Sequence, residues 1–122
     1  MSTPQAAGSI AQTAPSTGAL TVGLVQINNS FSGQNYLPYS VALLQTYVQK
    51  CAVAPGRYRF LPPLYKRVRI ADAVEALKDA DIVGFSTYVW NGRISLEIAR
   101  RLKALKPGFV VIFGGPHVPG QP

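Results

Sequence analysis

Acidic residues, cysteine and histidine are scarce in this chain of 122 residues. It contains five Asp and Glu side chains, one cysteine and one histidine. A single cysteine excludes a disulfide framework and any cysteine cluster for a metal within the chain, and the lone His117 is a poor basis for a metal site. The five acidic residues fall on predicted helices or at strand starts, so no paired carboxylates face a predicted crevice. The chain by itself is therefore not predicted to be a catalyst.

Long apolar runs are also missing, which argues against a membrane span. No uninterrupted apolar run approaches the roughly 20 residues of a membrane helix. Residues 1–20 have neither the basic start nor the apolar centre of a secretory signal, and their Ser, Thr, Ala, Gln, Pro and Gly content predicts a disordered leader. Together with the single cysteine, these features favour a cytoplasmic protein with one domain over residues 21–122.

Basic residues are plentiful and give the chain a net charge of +7. They form two groups: Arg57, Arg59, Lys66, Arg67 and Arg69, and then Arg93, Arg100, Arg101, Lys103 and Lys106. The first group surrounds a predicted strand and its exit, and the second occupies the polar face of a predicted helix. No aromatic–basic interleaving or recognised motif supports nucleic-acid binding. We therefore expect a solvated face or a surface that docks on another domain, and no nucleic-acid partner.

Apolar segments alternate with helical patterns along the rest of the chain. Strands are predicted over residues 22–27, 58–61, 81–87 and 109–113. Between them, apolar residues recur at helical spacing: Leu37, Val41, Leu44, Val48 and Cys51; Ile70, Val74 and Leu77; Ile94, Ile98, Leu102 and Leu105. Pro62-Pro63 cuts the second strand short and places it toward a sheet edge. Right-handed crossovers then predict an open parallel α/β sheet with helices on both faces.

The predicted ligand site lies where three loops meet. A Rossmann-like sheet with the flavodoxin-like strand order 2-1-3-4 has its switch point between strands 1 and 3. Residues 28–36, 87–92 and 114–119 converge on that side. The last strand, read as fully buried, breaks there into two glycines, a proline and a histidine. Two adjacent glycines let a flat or bulky ligand approach the backbone closely.

Particular residues carry a family resemblance. Residues 81–91 read DIVGFSTYVWN, a basic helix follows, and residues 113–119 read FGGPHVP. This combination resembles the cobalamin-binding domain that precedes the catalytic barrel in cobalamin-dependent radical S-adenosylmethionine enzymes. Asn35-Tyr36-Leu37-Pro38-Tyr39-Ser40, which opens the first helix, is also similar to that family. The resemblance covers roughly residues 20–120.

The resemblance implies a cobalamin site on the three converging loops. The implied cofactor-binding residues are Asn28, Asn29, Ser30, Ser86, Thr87, Tyr88, Val89, Gly114, Gly115, Pro116 and His117. The loop after strand 1 would line the lower corrin face, the loop after strand 3 would flank the nucleotide tail, and the glycines with Pro116 would admit that tail. His117 is expected to be a loop hydrogen-bonding residue. Without the resemblance, turn capping by Ser86 and Thr87 and ordinary burial of Tyr88 and Trp90 would be favoured.

Two departures from related proteins limit what this chain can do. Cobalamin modules that ligate cobalt carry Asp-x-His-x-x-Gly after strand 1, and this chain has no histidine there, so cobalt is expected to lack a protein imidazole. Radical S-adenosylmethionine enzymes hold a [4Fe–4S] cluster with Cys-x-x-x-Cys-x-x-Cys, which one cysteine cannot supply. Cys51 is predicted to be a buried core residue. The cluster and S-adenosylmethionine are expected only in the missing part of the parent protein.

The predicted function is that of a cobalamin-binding module in a radical S-adenosylmethionine methyltransferase that uses methylcobalamin. Its expected partners are the C-terminal radical SAM barrel of the same protein and a small-molecule or peptide substrate. Two alternatives stay open: a non-methylating cobalamin-dependent radical enzyme, and a non-catalytic flavodoxin-like nucleotide-binding or docking module. The missing Gly-x-Gly-x-x-Gly after strand 1 argues against dinucleotide binding.

The resemblance also concerns the edge of the sheet. It implies a five-stranded sheet, of which the sequence contains four strands, so the fifth is expected to be missing. The fourth strand would then form a long apolar edge. We expect such a chain to self-associate.

Overall fold

A computed structural model describes residues 19–28, 30–31, 34–35 and 38–119 of the chain. The predicted leader, apart from residues 19 and 20, lies outside the described residues, as do Asn29 and Leu37. Within the described part, no helix is long and apolar enough to cross a membrane.

Four parallel strands form the main sheet. They are β1 (Leu20–Val25), β2 (Tyr58–Phe60), β3 (Ile82–Ser86) and β4 (Val110–Gly114), in the order β2-β1-β3-β4. The predicted order 2-1-3-4 is therefore confirmed, and β2 lies at an edge. Pro62 and Pro63 interrupt the pairing of β2 without ending it, because the Leu64 amide donates to the Leu24 carbonyl at 3.0 Å.

Helices cover both faces of this sheet, as predicted. Helix α1 (Tyr39–Cys51) packs on one face, where Val41 meets Val22 and Leu24 of β1. Helices α2 (Ile70–Leu77) and α3 (Gly92–Leu105) pack on the other face. The main core lies there and consists of Val25, Ile27, Ala73, Leu77, Ala80, Val83, Phe85, Ile98, Ala99, Leu102 and Phe109. The period of two along each strand divides its side chains between these faces.

The predicted apolar face of α1 is only partly buried, which corrects two expectations. Val41 is buried, whereas Leu44 is 57% exposed. Cys51 is also exposed, so the prediction of a buried core cysteine is wrong. The reason is that α1 contacts β1 chiefly through Val41, while its other apolar side chains border an open groove over the sheet.

The fourth strand is not the fully buried strand that its composition predicts. Val110 and Ile112 are 50% and 54% exposed on the α1 side. Val111 and Phe113 are half-buried on the α3 side, where the Phe113 ring stacks on Phe85 with centroids 5.0 Å apart. The difference arises because β4 is an edge strand that α1 does not reach.

Two smaller expectations also change. The stretch predicted as a polar loop after β1 contains a short antiparallel ladder between Ser30–Phe31 and Gln34–Asn35. Leu105, placed on the apolar face of the third helix, is 62% exposed because it is the last residue of α3.

Candidate functional site

A large groove lies between α1 and the sheet. Its volume is about 1010 Å³, at the upper end of the roughly 300–1,000 Å³ usual for ligand pockets. The sheet supplies its floor through Val22, Leu24, Ile82, Gly84 and Ile112, and α1 supplies its wall through Ser40, Val41, Leu43, Leu44, Thr46, Tyr47, Lys50 and Cys51. The lining is mostly apolar, with a few polar side chains. Such a groove suits a ligand with a bulky apolar part and some polar atoms.

The mouth of the groove is where five of the predicted site residues come together. Ser86, Tyr88, Gly114, Gly115 and Pro116 line it at the carboxyl ends of β3 and β4. Open α/β sheets bind their ligands at this edge. These five residues of the predicted site therefore line one groove.

The other predicted residues stand outside the groove lining. Asn28, Thr87, Val89 and His117 are described but do not line it. Ser30 is described only as part of the short ladder after β1, and Asn29 lies outside the described residues. Strand alternation separates Ser86, on the groove side, from Thr87, on the α3 side. The Thr87 hydroxyl is buried and has no hydrogen-bond partner among the described residues.

The two adjacent glycines serve different purposes. A Cβ atom at Gly114 would meet nothing within 4 Å, so this glycine keeps space open at the mouth. Gly115 has a φ of +102°, and a Cβ there would lie 2.6 Å from the backbone nitrogen and oxygen of Thr87. Gly115 is therefore required by its left-handed backbone and by the close approach of the two loops.

A buried amide joins the loops behind the mouth. Asn91 is 1% exposed; its Nδ2 donates to the carbonyls of Ile27 at 2.9 Å and Ser86 at 3.0 Å. Its Oδ1 accepts the Tyr88 amide at 2.8 Å. The sequence-based site did not include Asn91. Asn91 ends the motif DIVGFSTYVWN and lies in the converging loop 87–92, but its position just before a predicted helix is equally typical of a capping asparagine.

A second set of hydrogen bonds joins the loop after β3 (residues 87–92, the β3 loop) to the loop after β4 (residues 114–119, the β4 loop). The Thr87 amide donates to the Gly114 carbonyl at 2.7 Å, and the His117 amide donates to the Thr87 carbonyl at 3.1 Å. The loop after β3 is therefore connected by hydrogen bonds to the β4 loop on one side and to Ile27, which precedes the loop after β1, on the other.

An aromatic pair stands beside the mouth. The rings of Tyr88 and Trp90 stack in parallel with centroids 4.7 Å apart, and Arg67 Nη2 donates to the Trp90 carbonyl at 2.9 Å. Trp90 is 42% exposed, so it is not the ordinary buried aromatic residue that the sequence would suggest without the resemblance.

His117 faces α3 rather than the groove. A Cβ atom at Gly92, the first residue of α3, would lie 3.2 Å from His117 Cδ2. Among the residues that the structure describes, no group of three or more His, Cys, Asp or Glu side chains is placed to hold a metal ion.

A comparison against protein families shows which family the chain belongs to. The model of the B12 binding domain matches residues 19–122, and the chain belongs to this family. The resemblance read from the residues is thereby confirmed.

Two curated relatives are larger enzymes. Over 87 residues, which are 71% of this chain, the sequence is 34% identical to 2-(S-pantetheinyl)-carbapenam-3-carboxylate methyltransferase of Streptantibioticus cattleyicolor. Over the same length it is 31% identical to the cobalamin-dependent radical SAM methyltransferase TokK of Streptomyces tokunonensis. The match spans 13% of the length of each relative.

Proposed function

We propose that this domain binds cobalamin, with the corrin ring over the carboxyl ends of the strands and the nucleotide tail in the groove beneath α1. The observation that carries the proposal is the space at Gly114, where the strand opens into a large, mostly apolar groove. Family membership supports the same ligand.

The residues of the groove fit the chemistry of that tail. Its base is flat and apolar, and Leu24, Leu44 and Ile112 offer apolar surface to it. Its sugar and phosphate are polar, and the hydroxyls of Ser40 and Ser86 can donate hydrogen bonds within the same groove. We assign Ser86, Tyr88, Gly114, Gly115 and Pro116 to direct contact with the tail. Asn28, Asn29 and Ser30 remain our proposed contacts for the lower corrin face.

The proposed site holds cobalt without a protein imidazole. The only histidine of the chain, His117, lies against the start of α3 and is absent from the groove lining. We propose that His117 and Thr87 support the cofactor indirectly, since they join the β3 and β4 loops through backbone hydrogen bonds. Val89 is 73% exposed beside the mouth of the groove, and we assign it to contact with the outer edge of the bound cofactor.

For the parent protein we infer a methyltransferase. Methylcobalamin supplies a transferable methyl group when bound, and both relatives are named as methyltransferases. In this proposal a radical SAM barrel elsewhere in the longer protein carries the [4Fe–4S] cluster and S-adenosylmethionine. That barrel would also bind a small-molecule or peptide substrate. The role of the present domain is to hold and orient the cofactor.

Gel filtration of the chain after incubation with hydroxocobalamin tests the proposal. The wild-type chain should co-elute with the corrinoid absorbance. Gly114→Val should lose it, because the new side chain enters the open space at the mouth while its strand backbone accepts a β-branched residue.

Gly108→Val is the matched control. A Cβ atom at Gly108 also meets nothing within 4 Å, and Gly108 is not part of the groove lining. Circular dichroism checks that all three proteins are folded. Absence of corrinoid from the folded wild-type chain, or its retention by Gly114→Val, would refute the proposed site.

A further inference from the structure

We propose that Asn91 is a positioning residue of the cobalamin site: it locks the β3 loop onto the end of β1 and so fixes the side chains that line the mouth. The inference rests on the proposed function. Asn91 is not itself part of the groove lining, so it acts through its neighbours.

The carboxamide of Asn91 is matched to three backbone groups. It donates to the Ile27 and Ser86 carbonyls and accepts from the Tyr88 amide, with all three distances between 2.8 and 3.0 Å. A carboxylate would lack both donated hydrogen bonds, and an alanine would lack all three. Because the site is buried, the abandoned backbone groups would stay unsatisfied or would shift to find other partners.

The bonded groups are those that shape the mouth. Ser86 and Tyr88 line the groove, and Ile27 immediately precedes the loop proposed for the lower corrin face. Thr87, held between them, bonds the Gly114 carbonyl. A displaced β3 loop would therefore change the positions of Ser86, Tyr88 and the glycine turn together.

The helix that follows does not depend on this side chain. No side-chain capping hydrogen bond is present at the start of α3, and the Ser95 amide bonds to the main-chain oxygen of Asn91. Removal of the carboxamide therefore leaves the hydrogen bonds of α3 in place. The expected loss falls on the site rather than on the helix.

Trp90 provides a local reporter for the test. It is the only tryptophan of the chain and stacks on Tyr88, one of the residues that Asn91 holds. Its emission should shift in ligand-free Asn91→Ala and Asn91→Asp. Hydroxocobalamin absorbs in the range of tryptophan emission, so quenching of Trp90 also measures binding.

Affinity and folding are then measured side by side. Asn91→Ala and Asn91→Asp should remain folded by circular dichroism and should bind hydroxocobalamin at least on the order of tenfold more weakly than the wild type. Ser95→Ala is the control, since Ser95 is equally buried and its hydroxyl has no partner among the described residues. It should keep the wild-type affinity and the wild-type Trp90 emission.

Several results would overturn the inference. One is a folded Asn91→Ala that binds hydroxocobalamin with wild-type affinity. Another is a loss of affinity that is fully explained by the fraction of unfolded protein. A third is the same loss of affinity in Ser95→Ala. Unfolding of both Asn91 variants at the assay temperature also overturns it, because Asn91 would then hold the fold rather than the site. If the wild-type chain binds no cobalamin, the proposed function fails; unchanged ligand-free Trp90 emission in Asn91→Ala would still refute the positioning role independently.

Discussion

At the scale of single residues, the glycine turn after β4 shows how neighbours with one sequence signal differ in physical role. Sequence reasoning treats Gly114 and Gly115 as one feature that bares the backbone. In the structure only Gly114 opens onto free space, whereas Gly115 is held at positive φ against Thr87. Substitution at Gly115 therefore tests the fold, and substitution at Gly114 tests the site.

We expect Gly115→Ala to destabilise the ligand-free domain. A non-glycine residue at positive φ costs about 1–3 kcal/mol, and the new Cβ would also press on the Thr87 backbone. For a domain of this size the melting temperature should fall by several degrees. Thermal melts followed by circular dichroism check this, with Gly114→Ala as the control that keeps the wild-type melting temperature. Equal melting of the two variants would contradict the assigned difference.

Other single residues show where sequence reasoning ends. Ser86 and Thr87 look equivalent as hydroxyl side chains after a strand, but strand alternation places only Ser86 in the groove. The role of Asn91 depends on carbonyls 64 and 5 residues away in the chain, which no local pattern reveals. The family resemblance suggested the ligand, but only the structure shows which of the predicted residues line the groove.

At the scale of elements, α3 carries Glu97, a carboxylate that pairs with two arginines of the same helix. Arg100 Nη2 and Arg101 Nε lie 2.6 and 2.9 Å from Glu97 Oε2. Hydrogen bonds from Arg100 and then Arg101 lower the pKa of Glu97 from 4.5 to about 2. Because the pKa of Glu97 is lower in the folded state than in the unfolded state, its ionised form stabilises the fold at any pH above the unfolded-state pKa. This stabilisation is lost as the pH falls through the folded-state pKa.

Glu97→Gln should therefore melt at a slightly lower temperature than the wild type at neutral pH. The effect is small because these ion pairs are exposed to solvent. The difference should persist down to a pH near 4.5 and disappear as the pH approaches about 2. Melting curves across this range check the prediction; a difference that stays constant to the lowest pH would exclude Glu97 ionisation as its cause.

The exposed edge of β4 leads to a prediction about association. Among the described strands, β4 pairs only with β3, and Val110 and Ile112 are half exposed beside its free edge. Edges of this kind pair with other chains unless charge interrupts them. We expect the 122-residue chain to self-associate in light scattering, and Val110→Lys to lower its average mass.

Val110 is outside the groove lining, so Val110→Lys should keep its affinity for hydroxocobalamin. If the wild-type chain is already monomeric at high concentration, the edge of β4 is not an association surface. A loss of affinity in the variant would show instead that β4 as a whole has moved.

Elements were predictable from the sequence where their signal is local. The apolar segments predicted four strands, and the helical spacing between them predicted three helices. Pro62-Pro63 predicted the edge position of β2. Exposure was less predictable because it depends on what covers an element. Leu44, Cys51 and Ile112 have apolar patterns, yet the groove beside them leaves them open.

At the scale of the whole molecule, the domain consists of a well-packed half and an open half. The core against α2 and α3 consists of buried side chains, whereas the α1 side has the groove beneath α1 and most of the exposed apolar side chains of α1 and β4. This asymmetry is the structural basis for the central claim that the nucleotide tail of cobalamin occupies the α1 side. The resemblance in the sequence predicted the ligand, and the structure supports a particular location for it.

The most direct test compares cobalamin with cobinamide, which has the corrin ring but no nucleotide tail. Titrations monitored by Trp90 quenching should give an affinity for cobalamin at least on the order of tenfold higher in the wild-type chain. In Gly114→Val this advantage should be lost while the weak affinity for cobinamide remains, because only the tail needs the open groove. Equal wild-type affinities for the two corrinoids, or a cobalamin advantage that survives in folded Gly114→Val, would contradict the account.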